Sequence, residues 1–298
     1  MGLKPLTWPW RAGLALALAL GLAQTCPAAD PYPNRPIRLI IPFAPGGASD
    51  FVGRILVQKL SEALNQQVII DNRTGAAGNI GMEVAAKAAP DGYTLYLGNI
   101  GTLAINPAIY PNLSVQPLKD FAPITLIANV PSALVANSDW GPRQLADAVA
   151  KLRANPDKFN FATPGSGSLN RLEMEIFMKS TGTRMTHVPY KGGGGPAAMG
   201  LIGGETQLMF NTMPSVKGFV EGGRMQALAV TSAKRMPQWP DVPTMSELGY
   251  PDLVTGSWQG VLAPIKTPKE IIVKLHQALN KRSEEHTSEL QSRVDISY

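Results

Sequence analysis

Short apolar segments alternate with segments of helical periodicity along most of the chain, and Gly-rich turns separate the two kinds of segment. Residues 50–64 show the helical pattern clearly, because Val52, Leu56 and Leu60 fall on one face. This alternation is typical of α/β sheet proteins, so the sequence predicts an α/β fold. Strands are predicted at 37–43, 68–71, 94–98, 159–163, 207–211, 225–231 and 256–263, and helices at 50–64, 80–88, 145–153, 169–180 and from 268 onward.

The composition narrows the classes of protein to which the chain can belong. It has 298 residues, enough for two domains of about 100–200 residues each. The formal net charge of +5 comes from scattered Lys and Arg residues, which disfavours nucleic acid as a partner because such binding needs a basic stripe. A single cysteine excludes an intrachain disulfide, and with three isolated histidines it also disfavours a zinc site. We expect neither a metal nor a cofactor.

The first 29 residues have the features of a secretory signal peptide. Lys4 and Arg11 supply positive charge, and the apolar run at 12–23 is too short to span a bilayer, which requires about 20 residues. Cleavage after Ala28 would leave a mature protein without cysteine. Lipidation at Cys26 and an uncleaved anchor helix are the alternatives. We expect export to the periplasm.

Residues 282–298 do not continue the pattern of the helix before them. Ile271, Leu275 and Leu279 recur at helical spacing, and the periodicity then stops where the sequence reads RSEEHTSELQS. This string resembles the translation of a common short-read sequencing adapter. We therefore predict that residues 282–298 are a foreign tail and exclude them from functional reasoning, with a native polar helix end as the alternative.

Two Gly-rich turns, one in each half of the chain, lead from a predicted strand into a predicted helix. The first reads PFAPGGASD and ends at Asp50, and the second reads TPGSGS. Free N–H groups and the helix dipole favour an anion at such a turn, and Gly46, Gly47 and Gly167 allow a ligand close to the backbone. Neither turn contains Lys or Arg, so recognition would depend on amides and hydroxyls. Asp50 is interpreted as a helix cap that supports the first turn, and direct contact with the ligand is the alternative. For both turns, the alternative is an ordinary βα turn without a ligand.

Signatures of catalysis are absent from the sequence. It contains no nucleophile elbow, no Walker loop and no dinucleotide fingerprint, so we do not expect an enzyme. His187 is interpreted as a packed structural residue. Tyr190 with the glycines after it, and Asn211 at a strand end, are candidates for the lining of a pocket, because ligands of α/β proteins bind at the carboxyl ends of strands. Trp258 belongs either to the core or to a cleft wall.

Seven segments together resemble one protein family. They are PFAPGGASD (42–50), NRTGAAGNIG (72–81), APDGYTL (89–95), HVPYKGGGGPAAM (187–199), GGETQLMFNTMPS (203–215), ALAVTSAKRMPQWPDVPT (227–244) and SWQGVLAPIKTP (257–268). In this order they resemble the Bug-type (TctC-like) periplasmic solute-binding proteins of tripartite tricarboxylate transporters. The resemblance implies a two-lobed periplasmic binding protein of type II, a Venus flytrap with a hinge of crossover strands. Residues 33–130 plus 233–281 would form lobe 1, and residues 131–232 would form lobe 2.

The resemblance also implies which residues meet the ligand. A carboxylate would meet the first Gly-rich turn in lobe 1, and the second turn and later glycines would complete the site from lobe 2. The implied ligand-binding residues are Phe43, Ala44, Gly46, Gly47, Ser49, Asp50, Thr163, Ser166, Gly167, Ser168, Tyr190, Gly192 and Asn211. The sequence departs from the family pattern at Arg171, where members often have His, and at Asn211, where they often have Asp. Both changes suit an anionic ligand.

The function implied by the resemblance is that of a periplasmic receptor for a small carboxylate, such as a di- or tricarboxylate. It would deliver this ligand to the membrane subunits of a tripartite tricarboxylate transporter. We expect it to act as a monomer. A periplasmic ligand-sensing subunit of a membrane signalling system is the alternative, because it would use the same cleft.

Overall fold

Two five-stranded sheets organise the computed structural model, which describes residues 31–280. Both sheets belong to a unit that begins at Arg35, and helices flank each of them. The predicted α/β fold with two sheets is therefore confirmed. Within the described residues, no helix combines the length and the apolar character needed to cross a membrane. The predicted signal peptide and the predicted foreign tail lie outside the described residues.

The first sheet has the strand order β2-β1-β3-β10-β4. Strands β1 to β3 are parallel, and β10 is antiparallel to both of its neighbours. Its strands are β1 (Ile37–Ile41), β2 (Val68–Asn72), β3 (Thr94–Asn99), β4 (Phe121–Val130) and β10 (Ser257–Pro264). The apolar side chains of β1 are fully buried, as expected of an inner parallel strand that is covered on both faces.

The second sheet repeats this arrangement with the order β7-β6-β8-β5-β9. Three parallel strands are again followed by a reversed strand, here β5, and then by an edge strand. Its strands are β5 (Ser132–Asn137), β6 (Asn160–Thr163), β7 (Thr186–Pro189), β8 (Leu208–Thr212) and β9 (Met225–Val230). The shared topology explains why the two halves of the sequence carry similar strand–turn–helix segments.

The longer helices lie between the strands and include two that the sequence does not predict. They are α1 (Ala48–Leu64), α2 (Asn79–Ala86), α3 (Leu145–Ala154), α4 (Leu169–Thr181), α5 (Gly194–Ile202), α6 (Met213–Glu221) and α7 (Lys269–Asn280). Shorter helical turns are found at Ala76–Gly78, Gly101–Ile105, Asn106–Ile109, Pro117–Asp120, Ser138–Trp140 and Pro251–Leu253. The predicted helices agree with the structure to within two residues, whereas α5 and α6 are missed. α5 starts with two glycines of low helix propensity, and packing of its buried Ala197, Ala198 and Leu201 stabilises it instead.

The chain crosses between the sheets in two places. The apolar stretch 123–137 contains parts of two strands in different sheets, β4 and β5, which are separated by Pro131, a residue without an N–H group to continue a ladder. The chain returns to the first sheet between β9 and β10. Thr231 N–H donates to Ser132 O at 2.8 Å, and Ser132 N–H donates to Thr231 Oγ1 at 2.9 Å, so the two crossings are bonded to each other. The lobe limits given above fall in these crossings and remain a prediction.

Aromatic side chains form the centre of the core on one face of the second sheet. Phe177 of α4 is fully buried and makes edge contacts with Phe210 of β8 and with Tyr250, at centroid distances of 6.2 and 6.1 Å. This cluster fastens α4 to the sheet. Because α4 follows the second Gly-rich turn directly, the cluster also fixes where that turn ends.

Replacement of Phe177 by Ala should lower the free energy of unfolding by about 3–5 kcal/mol, since it removes a buried ring and leaves a cavity. Urea unfolding followed by circular dichroism measures this loss. Lys179→Ala on the exposed face of the same helix is the matched control and should change stability by less than about 0.5 kcal/mol. Equal effects of the two variants would contradict the assignment of Phe177 to the core.

Candidate functional site

A small cavity of about 50 Å³ lies where loops and strand ends of the two sheets meet, and we call it the inter-sheet cavity. Its wall on the side of the first sheet includes Phe43, Gly47, Ala48, Ser49, Asn99 and Gln259. Its wall on the side of the second sheet includes Gly167, Ser168, Asn170, Gly194, Asn211 and Thr212. The cavity therefore lies at the strand ends of both sheets, the usual ligand position in α/β proteins.

Four helices begin at the inter-sheet cavity. Ser49 lies in the first turn of α1, Asn170 lies in the first turn of α4, Gly194 starts α5, and Thr212 directly precedes α6. The first N–H groups of a helix have no carbonyl partner within that helix. Each helix start also carries a partial charge of about +0.5. This arrangement favours an anion.

The polar side chains of the wall are neutral and bond mainly to one another. Ser49 Oγ donates to Gln259 Oε1 at 2.8 Å. Asn211 Nδ2 donates to Gly194 O at 2.9 Å, and its Oδ1 accepts from Thr212 N–H at 2.9 Å. Within residues 31–280, no ionisable side chain lines this cavity and no cluster of potential metal ligands occurs. An anion there would be bound mainly by backbone N–H groups.

Asp50 supports the first Gly-rich turn from behind the wall. Its Oδ2 accepts from Gly46 N–H at 3.1 Å and from Arg54 Nε at 2.9 Å. Asn72 Nδ2 contacts Asp50 Oδ1 at 3.4 Å and also donates to Phe43 O at 2.8 Å. The carboxylate thus keeps the turn in shape, which is the supporting role that the sequence predicts.

The second turn is shaped by Thr163 and Ser168. Ser168 caps α4, because its Oγ accepts from Arg171 N–H at 3.3 Å, and it also donates to Gly165 O at 2.8 Å. Thr163 Oγ1 lies 2.6 Å from His187 Nε2. Burial and the nearby Arg171 lower the pKa of His187, which favours the neutral imidazole. His187 is therefore part of the support of the turn, in agreement with its predicted structural role.

Loops from the two sheets touch beside the cavity. Ala44 N–H donates to Gly192 O at 2.8 Å. Gly167 packs so closely on Asn106 that a Cβ atom at this glycine would lie 1.7 Å from Asn106 Oδ1. These contacts hold the loops of the two sheets close together beside the cavity.

The predicted ligand-binding residues divide into two groups in the structure. One group lines the inter-sheet cavity and consists of Phe43, Gly47, Ser49, Gly167, Ser168 and Asn211. The other group lies outside its lining and consists of Ala44, Gly46, Asp50, Thr163, Ser166, Tyr190 and Gly192. Most of the second group holds the loops in place instead, as described above for Ala44, Asp50 and Thr163.

The structure does not bring Tyr190 or Arg171 to the cavity. The Tyr190 hydroxyl donates to Glu205 Oε2 at 2.5 Å, and burial together with this carboxylate raises the pKa of Tyr190 to about 12. Arg171 Nε lies 3.4 Å from Glu175 Oε1, and both side chains line a separate depression with Ser166. The positive charge expected near the second turn is thus paired with an acid.

Five polar residues of the wall are not predicted from the sequence: Asn99, Asn170, Thr212, Ser257 and Gln259. Asn99 ends β3 and Asn170 follows the second turn, so both carry the signal of a polar residue at an element boundary. Gln259 pairs directly with Asn99, because β10 inserts between β3 and β4. That pairing joins residues 160 positions apart in the chain and has no local signal.

Comparison with known proteins agrees with this geometry. The model of the family described as "Tripartite tricarboxylate transporter family receptor" matches residues 52–290. The chain belongs to this family. It is a solute-binding receptor and not an enzyme, and the predicted resemblance is confirmed. The match runs into the range 282–298, whose assignment as a foreign tail stays a prediction.

Relatives of this receptor cover most of its length. It is 39% identical to the protein BugT of Bordetella pertussis over 270 residues, which are 90% of this chain and 82% of BugT. The structure of Rpa4515 from R. palustris with adipate is 36% identical, covers 83% of each chain and has a TM-score of 0.81. MatC from Rhodopseudomonas palustris with bound malate is 32% identical, covers 84% of this chain and 85% of MatC, and has a TM-score of 0.79.

A larger groove of about 1110 Å³ runs along the first sheet, and we call it the apolar groove. Its wall includes Leu103, Leu113, Leu118, Leu126, Trp258 and Leu262. Trp258 thus lines this groove and not the inter-sheet cavity. A mainly apolar wall provides few hydrogen bonds to replace the water around a charged solute. The inter-sheet cavity is therefore the better candidate for the ligand site of the receptor.

Two glycines of the wall should respond differently to substitution by Ala. At Gly167 the new methyl group would collide with Asn106 and prevent close approach of the loops, so carboxylate binding should weaken about tenfold or more. At Gly47 the nearest atom to a Cβ is Gly194 N at 3.8 Å, which is ordinary contact, and we expect a change of less than about threefold. Isothermal titration calorimetry measures both. Full affinity in Gly167→Ala would contradict the closed arrangement.

Proposed function

We propose that this receptor captures a small carboxylate in the periplasm between its two lobes and delivers it to the membrane subunits of a tripartite tricarboxylate transporter. The observation that carries the proposal is the convergence of four helix starts on a cavity whose described lining has no ionisable side chain. Partial positive charge from all sides selects an anion, and the absence of a fixed cation suits repeated capture and release.

The proposed lobes are residues 33–130 plus 233–281 and residues 131–232. Contacts from both lobes are supported by the position of the cavity, since α1 belongs to the first part and α4, α5 and α6 belong to the second. A ligand with one or two negative groups would therefore meet helix starts at both ends. The volume of about 50 Å³ has room for only a few water-sized groups, which favours a short ligand.

The relatives support a carboxylate as the ligand class. Rpa4515 is described with adipate and MatC with bound malate, and both are dicarboxylates. The wall of this receptor suits such ligands because its described side chains place no negative charge in the cavity.

Small dicarboxylates should stabilise the protein against heating, because they bind the folded state alone. At one hundred times Kd the gain is about 2.7 kcal/mol, which corresponds to a rise in Tm of roughly 5–10 °C for a chain of this size. Differential scanning fluorimetry with succinate, malate, adipate and citrate measures the shift, with butane-1,4-diol as the uncharged control. A diol that stabilises as strongly as the acids would contradict recognition of an anion.

Binding should also close the lobes. A ligand held from both sides binds the closed form better than the open form, and this difference drives closure. Small-angle X-ray scattering should show a smaller radius of gyration at saturating ligand than without ligand. An unchanged radius would indicate a rigid pocket or contacts from one lobe only.

A further inference from the structure

Among the described residues, the side-chain amide of Asn170 is hydrogen-bonded through its nitrogen alone. Asn170 is the second residue of α4 and lines the wall. Its Nδ2 donates to Ser132 Oγ at 3.0 Å and to Glu173 Oε2 at 2.9 Å, so both amide hydrogens are used. Its Oδ1 accepts no hydrogen bond from the part of the chain that the structure describes. The carbonyl oxygen is thus left as an acceptor for a ligand.

Other side-chain carbonyl oxygens of the wall already have donors. Asn99 Oδ1 accepts from Thr102 N–H at 3.0 Å, Gln259 Oε1 accepts from Ser49 Oγ, and Asn211 Oδ1 accepts from Thr212 N–H. Asn170 differs from these three, because it lines the cavity and its Oδ1 accepts no hydrogen bond among the described residues. A ligand that brings a donor to this oxygen would complete the hydrogen bonds of the wall.

Glu173 keeps the Asn170 amide in this orientation. Its carboxyl group is fully buried, and its other oxygen accepts from Thr255 Oγ1 at 2.5 Å. Both Glu173 oxygens accept in this arrangement, Oε2 from Asn170 and Oε1 from Thr255, so Glu173 is matched to the N–H side of the Asn170 amide. Rotation of the amide by half a turn would place the Asn170 oxygen against the Glu173 oxygen. Burial raises the pKa of Glu173, and the hydrogen bonds with Thr255, Asn170 and Ser132 offset this rise only in part.

We propose that Glu173 is a positioning residue that keeps the Asn170 carbonyl oxygen toward the inter-sheet cavity, so that the site prefers carboxylates that carry a hydroxyl group. This inference rests on the proposed function, and it concerns the choice among carboxylates. The hydroxyl group donates to Asn170 Oδ1, whereas the unsubstituted acid leaves that acceptor without a donor. An ammonium group fits less well, because no acidic side chain lines the described wall to balance its charge.

Calorimetry with matched ligands tests this inference. The pairs are succinate and malate, glutarate and 2-hydroxyglutarate, and propionate and lactate, each hydroxy acid as both enantiomers, with aspartate as the amino counterpart of malate. For the pair that binds most tightly, the wild-type receptor should bind one enantiomer of the hydroxy acid about tenfold or more tightly than the unsubstituted acid, since the unsubstituted acid leaves a buried acceptor without a donor. Malate should also bind more tightly than aspartate.

Two variants and a control test whether Glu173 and Asn170 cause the preference for hydroxy acids. Glu173→Gln keeps the shape of the side chain but can donate as well as accept, so the Asn170 amide can turn and the preference should fall to about threefold or less. Asn170→Ala should also lose the preference. Glu175→Gln removes an exposed carboxylate from the same helix and should keep the wild-type ratio. The ratio of two affinities does not change when a variant only lowers stability.

Three results would overturn the inference in distinguishable ways. Equal binding of hydroxylated and unsubstituted acids by the wild type would refute the preference while leaving carboxylate capture intact. A full preference in Glu173→Gln would refute the role of Glu173. Binding of no carboxylate at all would refute the proposed function and, with it, this inference.

Discussion

The anion recognition proposed for this receptor depends on where its helices begin. The N–H groups of a first helical turn have no hydrogen-bond partner inside the helix. At the cavity they therefore need a ligand, a water molecule or a side chain as acceptor. The sheets determine that four such turns meet, because parallel strands end at one edge and the helices that follow start there. The neutral wall fits this geometry, because backbone N–H groups rather than side chains would bind the anion. Asp50 contributes by keeping the first turn in shape.

The ligand site and the crossings between the sheets share one network of hydrogen bonds. Ser132 begins the first strand after one crossing, and Thr231 and Thr255 lie in the other. Glu173 contacts Thr255, and Asn170 contacts Ser132. A change in the angle between the lobes would therefore alter the surroundings of a side chain that lines the cavity.

The fold and part of the site could be predicted because their signals are local. Apolar alternation located most strands and helices, and the glycines of the two turns marked Gly47 and Gly167 at the cavity. Gln259 could not be found in this way, because its place beside Asn99 depends on the insertion of β10 between distant strands. The ligand contact of Tyr190 stays a prediction. Its position after a strand is typical of a ligand contact, but its hydroxyl bonds to Glu205.

The most direct test of recognition by helix starts is a crystal structure of the receptor with a bound dicarboxylate. We predict carboxylate oxygens at about 2.7–3.2 Å from backbone N–H groups in the first turns of α1 and of at least one of α4 and α5. No Lys or Arg side chain should contact the ligand. A carboxylate paired with a cationic side chain, or a ligand bound in the apolar groove, would contradict this mode of recognition.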